Sequence, residues 1–300
     1  MIQALLFFWI ASAALIIREQ RVVRNIIYLG VFSYISSACF LLLAAPDIAI
    51  AEAAISTYAT IFFIACFEKY YGLADGERNP SNRHIAPIVF TVFLCALFIF
   101  FMPRGGANAF LKDRYTSMFS GDVGGENAVT AIYLGYRIYD TLFEALMLLV
   151  SVVAVAHLSW YGETHAREGK RLGLNRSAIA SFTIRMICPL IFLFGAYLTV
   201  NGHFTPGGGF QGGVAIASFF ICRYMIYDIY DIRVGRVITT EKLIYAAIVL
   251  LPAVFIFLGL YRYFPRAKNM YLIAMNTLIG IKVTLGFFIL FYRYIAFESR

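Results

Sequence analysis

Asn201-Gly202-His203-Phe204-Thr205-Pro206-Gly207-Gly208-Gly209-Phe210-Gln211-Gly212-Gly213 is a charge-poor, glycine-crowded turn set between two long apolar runs. A turn between membrane helices needs only a few polar residues, yet this one holds a proline and five glycines from Pro206 to Gly213. Glycine opens backbone angles closed to other residues and lets helices approach closely. Proline ends the helix before it. The segment reads as one that packs inside a larger assembly.

Hydrophobic residues make up 61% of the chain and charged residues 14%. An ordinary soluble domain carries about a quarter charged residues, so that class is excluded. Runs of roughly twenty apolar residues mark membrane spans, and we read roughly nine. They lie at Ile2–Ile17, Ile26–Ala45, Ile48–Phe67, Ile85–Met102, Thr141–Leu158, Met186–Asn201, Phe210–Tyr227, Leu243–Tyr261 and Met270–Tyr294. The expected fold class is all-α, a polytopic bundle. The first run lacks a basic start, and Arg18-Glu19-Gln20-Arg21 follows in place of a small-residue cleavage site, so it reads as a span.

The net charge of +8 is distributed as a topology signal. One set of loops holds Arg18, Arg21, Arg24, Arg78, Arg83, Arg167, Lys170, Arg171 and Arg176 among others; the opposite set holds Arg104, Lys112, Arg114, Arg137, Arg262, Arg266 and Lys268. The basic excess places the first set in the cytoplasm, the N-terminus outside and the C-terminus inside. No nucleic-acid patch is required. The five cysteines each fall in an expected span and form no Cys-x-x-Cys pair. They read as small apolar residues, and no metal or cluster ligation is expected.

Polar stretches at Glu68–His84 and Ser159–Ser181 divide the chain into blocks 1–84, 85–180 and 181–300, with three, two and four spans. In the first, Ala45-Pro46-Asp47 is the whole connection between the second and third spans. In the second, a glycine-rich polar segment, Pro103–Asp140, joins the two spans.

A charge near the centre of a span costs about 2.5–3.5 kcal/mol by insertion scales, so Glu52, Glu144 and Lys282 are expected to face protein or water. Glu52, Ser56 and Thr60 follow at one-turn intervals and make a polar stripe on one helical face. A carboxylate followed by hydroxyls suits a proton or sodium path; a satisfied contact between helices is the plainer alternative. Asp47, after Pro46, is equally readable as a helix N-terminal acid or as part of an ion path. Asp140 and Glu144 stand four apart, so they can share a proton, unless Arg137 neutralises Asp140 at the membrane surface. Lys282, with Gly280, Thr284 and Gly286 nearby, can relay a proton or pair with a carboxylate. His203 can relay protons at the external mouth or serve as an ordinary loop hydrogen-bonding residue. Pro206, Gly207, Gly208, Gly209, Gly212 and Gly213 form the structural turn. Phosphate-binding loops, nucleophile elbows, zinc-protease motifs and dinucleotide fingerprints are absent, and no catalytic cluster is expected.

The run Gly202 to Gly213 resembles the signature of the MnhB/MrpB subunits of multisubunit sodium/proton antiporters, and Asn276-Thr277-Leu278-Ile279-Gly280-Ile281-Lys282-Val283 resembles that family's closing helix. Ala45-Pro46-Asp47-Ile48-Ala49-Ile50-Ala51-Glu52-Ala53 looks like a motif of MbhD-like subunits and of the C-terminal part of the large MrpA subunit. Asn127 to Glu144 is similar to an MbhE-like pattern, with Gly135 where the pattern has aspartate and Ile138 and Phe143 where it has glycines; Ala51 likewise replaces a threonine. The resemblance implies a fusion of three small subunits acting in sodium/proton exchange in the cytoplasmic membrane of a prokaryote. Its partners would be other Mrp-type subunits, in a stand-alone antiporter or beside a membrane-bound hydrogenase or related oxidoreductase. Sodium and protons would be cargo, with no cofactor. Glu52, Glu144 and Lys282 would line the path, with Asp47, Asp140 and His203 near its external mouth. The other class of reading is an assembly subunit with no ion path.

Overall fold

The computed structural model describes residues 2–71, 85–101, 109–158, 178–226, 234–259 and 265–296. The basic loop residues Arg78, Arg83, Arg167, Lys170, Arg171 and Arg176 lie outside them. The described residues are almost entirely helical, as expected where lipid offers no partner for a free backbone group. In order the helices are α1 (Ile2–Arg18), α2 (Val22–Leu42), α3 (Pro46–Tyr71), α4 (Ile85–Phe101), α5 (Ala109–Asp122), α6 (Ala128–Ala131), a π-helical turn (Ile132–Tyr136), α7 (Ile138–Leu158), α8 (Ala178–Asn201), α9 (Gly209–Ile226), α10 (Val234–Phe257) and α11 (Pro265–Ala296).

The number of spans is corrected. Six of these helices (α2, α3, α7, α8, α10 and α11) are long and apolar enough to cross a membrane, rather than nine. The expected spans at Ile2–Ile17 and Ile85–Met102 are apolar helices but shorter, and the one at Phe210–Tyr227 is the 18-residue α9, diluted by Gly209, Gln211, Gly212, Gly213 and Arg223. Within the segment 103–140, read as a loop, residues 109–136 instead fold into α5, α6 and the π turn.

Helix α11 is the centre of the fold: 61% of its most apolar stretch is buried, against 22% or less in the other five. Leu272, Met275, Ile279, Val283, Phe291 and Ile295 form its core-facing stripe, with Val214, Ala217 and Ile221 of α9 against it. Helix α3 packs on the same pair, and Tyr58 donates to the Phe287 carbonyl at 2.8 Å. The link between α2 and α3 is tight enough to hold Ala44 at φ +57°, after which Pro46 opens α3 at the position where its missing N–H costs nothing.

The glycines make the α8–α9–α11 contact possible. A Cβ on Gly213 would lie 2.6 Å from the Gly280 carbonyl oxygen, and one on Gly212 would lie 2.6 Å from that of Gly195. Thr284 donates to the Gly213 carbonyl at 3.0 Å, using that close approach for a hydrogen bond. In hydrocarbon, where apolar area gives helices little reason to associate, such packing and polar contacts hold a bundle together.

Candidate functional site

Two polar clusters occupy the described residues. The first is built on the glycine turn. Gly207 has φ +137°, a conformation that only glycine takes readily, and it aims its N–H at Asp47 Oδ1 at 2.9 Å. The same oxygen accepts from Asn127 Nδ2 at 3.0 Å. Asn127 also donates to the carbonyls of Gly202 (3.1 Å) and Thr205 (3.0 Å), and its own Oδ1 caps α6 through the N–H of Val129 at 2.9 Å. His203 is buried and contributes chiefly backbone: its carbonyl accepts from the N–H groups of Glu126 (2.9 Å) and Asn127 (3.0 Å), while Nδ1 lies 3.1 Å from the Val200 carbonyl. Asp47, Asn127 and the turn are thus one buried clasp joining the start of α3, the start of α6 and the α8–α9 connection.

The clasp continues inward. Thr130 donates to the Gly202 carbonyl at 2.6 Å, and Tyr133 donates to Asn276 Oδ1 at 2.8 Å, which also accepts the Gly209 N–H at 3.1 Å. Burial pushes the Tyr133 hydroxyl well above the usual phenol range, keeping it a donor. The π turn frees two carbonyls from the helical ladder, and both are met: Thr141 donates to the Tyr133 carbonyl at 2.7 Å and Tyr271 to that of Leu134 at 3.0 Å. Such single π turns concentrate at functional positions. Gly135 sits within it, where a Cβ would come 2.5 Å from Val123 Cγ2. The aspartate of the resembling pattern could not stand here without displacing Val123.

Because Asp47 Oδ1 only accepts, an amide oxygen can do the same work. Asp47→Asn is therefore expected to leave the amount of assembled protein near that of the unmodified chain. Asp47→Leu strands two buried donors and should cost about 2–4 kcal/mol at about 1–3 each, read as lost thermal stability in detergent.

The second cluster is ionic. Lys282 and Glu241 are both wholly buried, and Lys282 Nζ donates to Glu241 Oε1. The ammonium also stands 5.3 Å from the centre of the Tyr245 ring, a favourable cation–π distance. On its other side, Lys282 lines a small pocket together with Thr141 and Glu144 of α7 and Phe210 of α9. The expected Glu144 and Lys282 are thereby brought to one pocket, Glu144 from its exposed side.

The remaining candidates separate. Asp140 is exposed and held by Arg137, whose Nε donates at 2.6 Å, so the surface ion pair is the alternative observed. Glu52 is half-buried on α3 and makes no hydrogen bond or ion pair within the described residues. Ser56 donates weakly to the Ala53 carbonyl at 3.3 Å, and Thr60 packs against Gly30 of α2, where a Cβ would lie 2.8 Å from its hydroxyl. Glu241 and Asn127 were missed. An unpaired lysine within a span was the signal that a buried acid had to be nearby; the start of α10, placed too late at Leu243, hid it in a loop.

Residues 179–298 match the family model described as a domain related to the MnhB subunit of Na+/H+ antiporter, and residues 7–71 match the MbhD model of the MBH complex. The chain is similar to the antiporter subunits mnhA2 of Staphylococcus haemolyticus (27% identical over 164 residues, 54% of this chain and 20% of the relative) and Staphylococcus saprophyticus (24% over 166 residues, 55% and 21%). It spans about a fifth of the length of these curated relatives. In fold it resembles a chain of the Mrp complex from Dietzia sp. DQ12-45-1b, with a TM-score of 0.73 at 18% identity over 99% of this chain and 35% of that one. It also resembles a chain of the membrane-bound sulfane sulfur reductase, an archaeal respiratory membrane complex, with a TM-score of 0.56 at 26% identity over 72% and 97%. With an MnhB-related domain at one end and an MbhD domain at the other, the chain is a multi-pass membrane protein carrying domains of the Mrp/Mnh-type antiporter module.

Proposed function

We propose that the chain is a membrane subunit of a multisubunit sodium/proton antiporter module and contributes to its ion path. The observation that carries this reading is the shared pocket of Glu144 and Lys282, two costly charges on α7 and α11 that meet instead of facing lipid. Glu52, half-buried and without a partner among the described residues, adds a second carboxylate whose neighbour would come from another subunit. Asp47 and His203 act here as supports of the path's external mouth, through the clasp, and Asp140 belongs to the surface.

The blocks 1–84, 85–180 and 181–300 correspond in this proposal to three fused small subunits. The protein lies in the cytoplasmic membrane with its N-terminus outside and its C-terminus inside, as the loop charges favour. Its partners are other Mrp-type subunits, and the gradient or electron transfer that drives exchange is supplied by them. Sodium and protons are cargo, and the chain performs no catalysis of its own. The likeness to a chain of a respiratory membrane complex favours a redox-linked parent as the second setting.

The test is exchange in membrane vesicles bearing Glu52→Gln and Glu144→Gln in the same chain. Loss of sodium/proton exchange with the complex still assembled is the expected result. Full exchange would instead make the chain a pure assembly subunit.

A further inference from the structure

Resting on that antiport reading, we propose that Lys282 is a mobile counter-ion passing between Glu241 and Glu144, and that Glu241 takes up the transported cation when the lysine leaves it. Three observations converge on this. Glu241 is fully buried, yet only Oε1 is bonded; Oε2 is buried with no hydrogen-bond partner among the described residues. A carboxylate sealed from water normally satisfies both oxygens, so this one retains capacity for another cation. Lys282 reaches it on an unbranched, flexible stem, and beside it the Tyr245 ring offers a second resting surface for the ammonium. Lys282 also faces a second acid, Glu144, across the small pocket, with the Thr141 hydroxyl in its wall.

The exchange balances. In the arrangement observed, Lys282 neutralises Glu241, and Glu144 carries a proton. When the ammonium crosses the pocket, Glu144 gives up that proton and pairs with Lys282. Glu241, now bare, accepts one monovalent cation on its two oxygens. One proton leaves as one cation arrives, and the net charge of the three groups with their cargo is unchanged. The return of Lys282 expels the cation from Glu241 and lets Glu144 regain a proton. Neither oxygen of Glu241 needs to meet water at any stage, which accounts for a carboxylate this deep with one oxygen unused.

The experiment compares three single variants in the assembled membrane complex, measured in vesicles. Glu241→Gln is expected to lower sodium/proton exchange by about tenfold or more, and Lys282→Arg, which keeps the charge but replaces the slim ammonium with a broad fork, by a similar factor. Glu241→Asp should restore exchange at a raised half-saturating sodium concentration, a readout that a purely structural pair would not move. Near-normal exchange by Glu241→Gln or Lys282→Arg, with Glu144→Gln inactive, overturns the mobile counter-ion while leaving the antiport reading intact. Near-normal exchange by Glu144→Gln removes both. If Glu241→Gln fails to assemble, Lys282→Arg decides the matter alone.

Discussion

Lys282→Met should destabilise the protein by about 3–5 kcal/mol, the usual cost of leaving one member of a buried ion pair behind. The methionine fills nearly the same volume, so packing changes little; the loss comes from Glu241, whose single bonded oxygen would then have no partner. Glu241 can escape part of that cost by taking up a proton. Adding Glu241→Leu to the same chain removes the stranded acid, and replacing both members of a buried pair with apolar residues is often neutral or stabilising. The double variant is therefore expected to recover most of the thermal stability, read by the temperature at which the detergent-solubilised complex falls apart. Transport should not recover with it. Stability and exchange separate in that one chain, because the pair is retained for its charges and not for its contribution to folding.

Gly212→Ala should be nearly as damaging, for a steric reason. The added methyl would fall on Thr199 Oγ1 and lie 2.6 Å from the Gly195 carbonyl oxygen, so relief requires α8 and α9 to move apart along their whole contact. Overpacking of this kind costs about 1–3 kcal/mol and occasionally more, and here the obstacle includes backbone that no rotamer change can clear. Separation of these helices would also pull on Gly207 and so on Asp47. Gly235→Ala is the matched control: it stands in α10 with nothing within 4 Å of the added carbon. It should be neutral, or more stable by up to about 1 kcal/mol through helix propensity. Yield of assembled complex and its melting temperature, compared across the two variants, check both expectations.

The residues legible in the sequence were those whose signal is local. Long apolar runs located the helices, and the crowding of glycine between Pro206 and Gly213 announced close packing before any contact was known. Lys282 stood out because an ammonium in a span needs a reason. Its partner did not, because Arg236, Thr239, Thr240 and Lys242 make the first two turns of α10 look like a loop, although Val234, Val237, Ile238, Glu241, Ile244 and Tyr245 keep a helical spacing through it. Asn127 was invisible for another reason. Its importance lies in meeting Asp47, Gly202 and Thr205 at once, and no spacing within one segment encodes that. Asp140 shows the reverse case, where a regular four-residue interval to Glu144 suggested a shared proton but the nearer Arg137 takes the charge.

The central claim is that a carboxylate of this chain exchanges a proton for sodium, and infrared difference spectroscopy of the assembled complex tests it most directly. On addition of sodium at constant pH, the account predicts loss of a protonated-carboxyl band and gain of a carboxylate band, both missing from the Glu144→Gln complex. The same spectral change in Glu144→Gln, or no carboxyl signal from the unmodified complex while it exchanges ions at full rate, would contradict it.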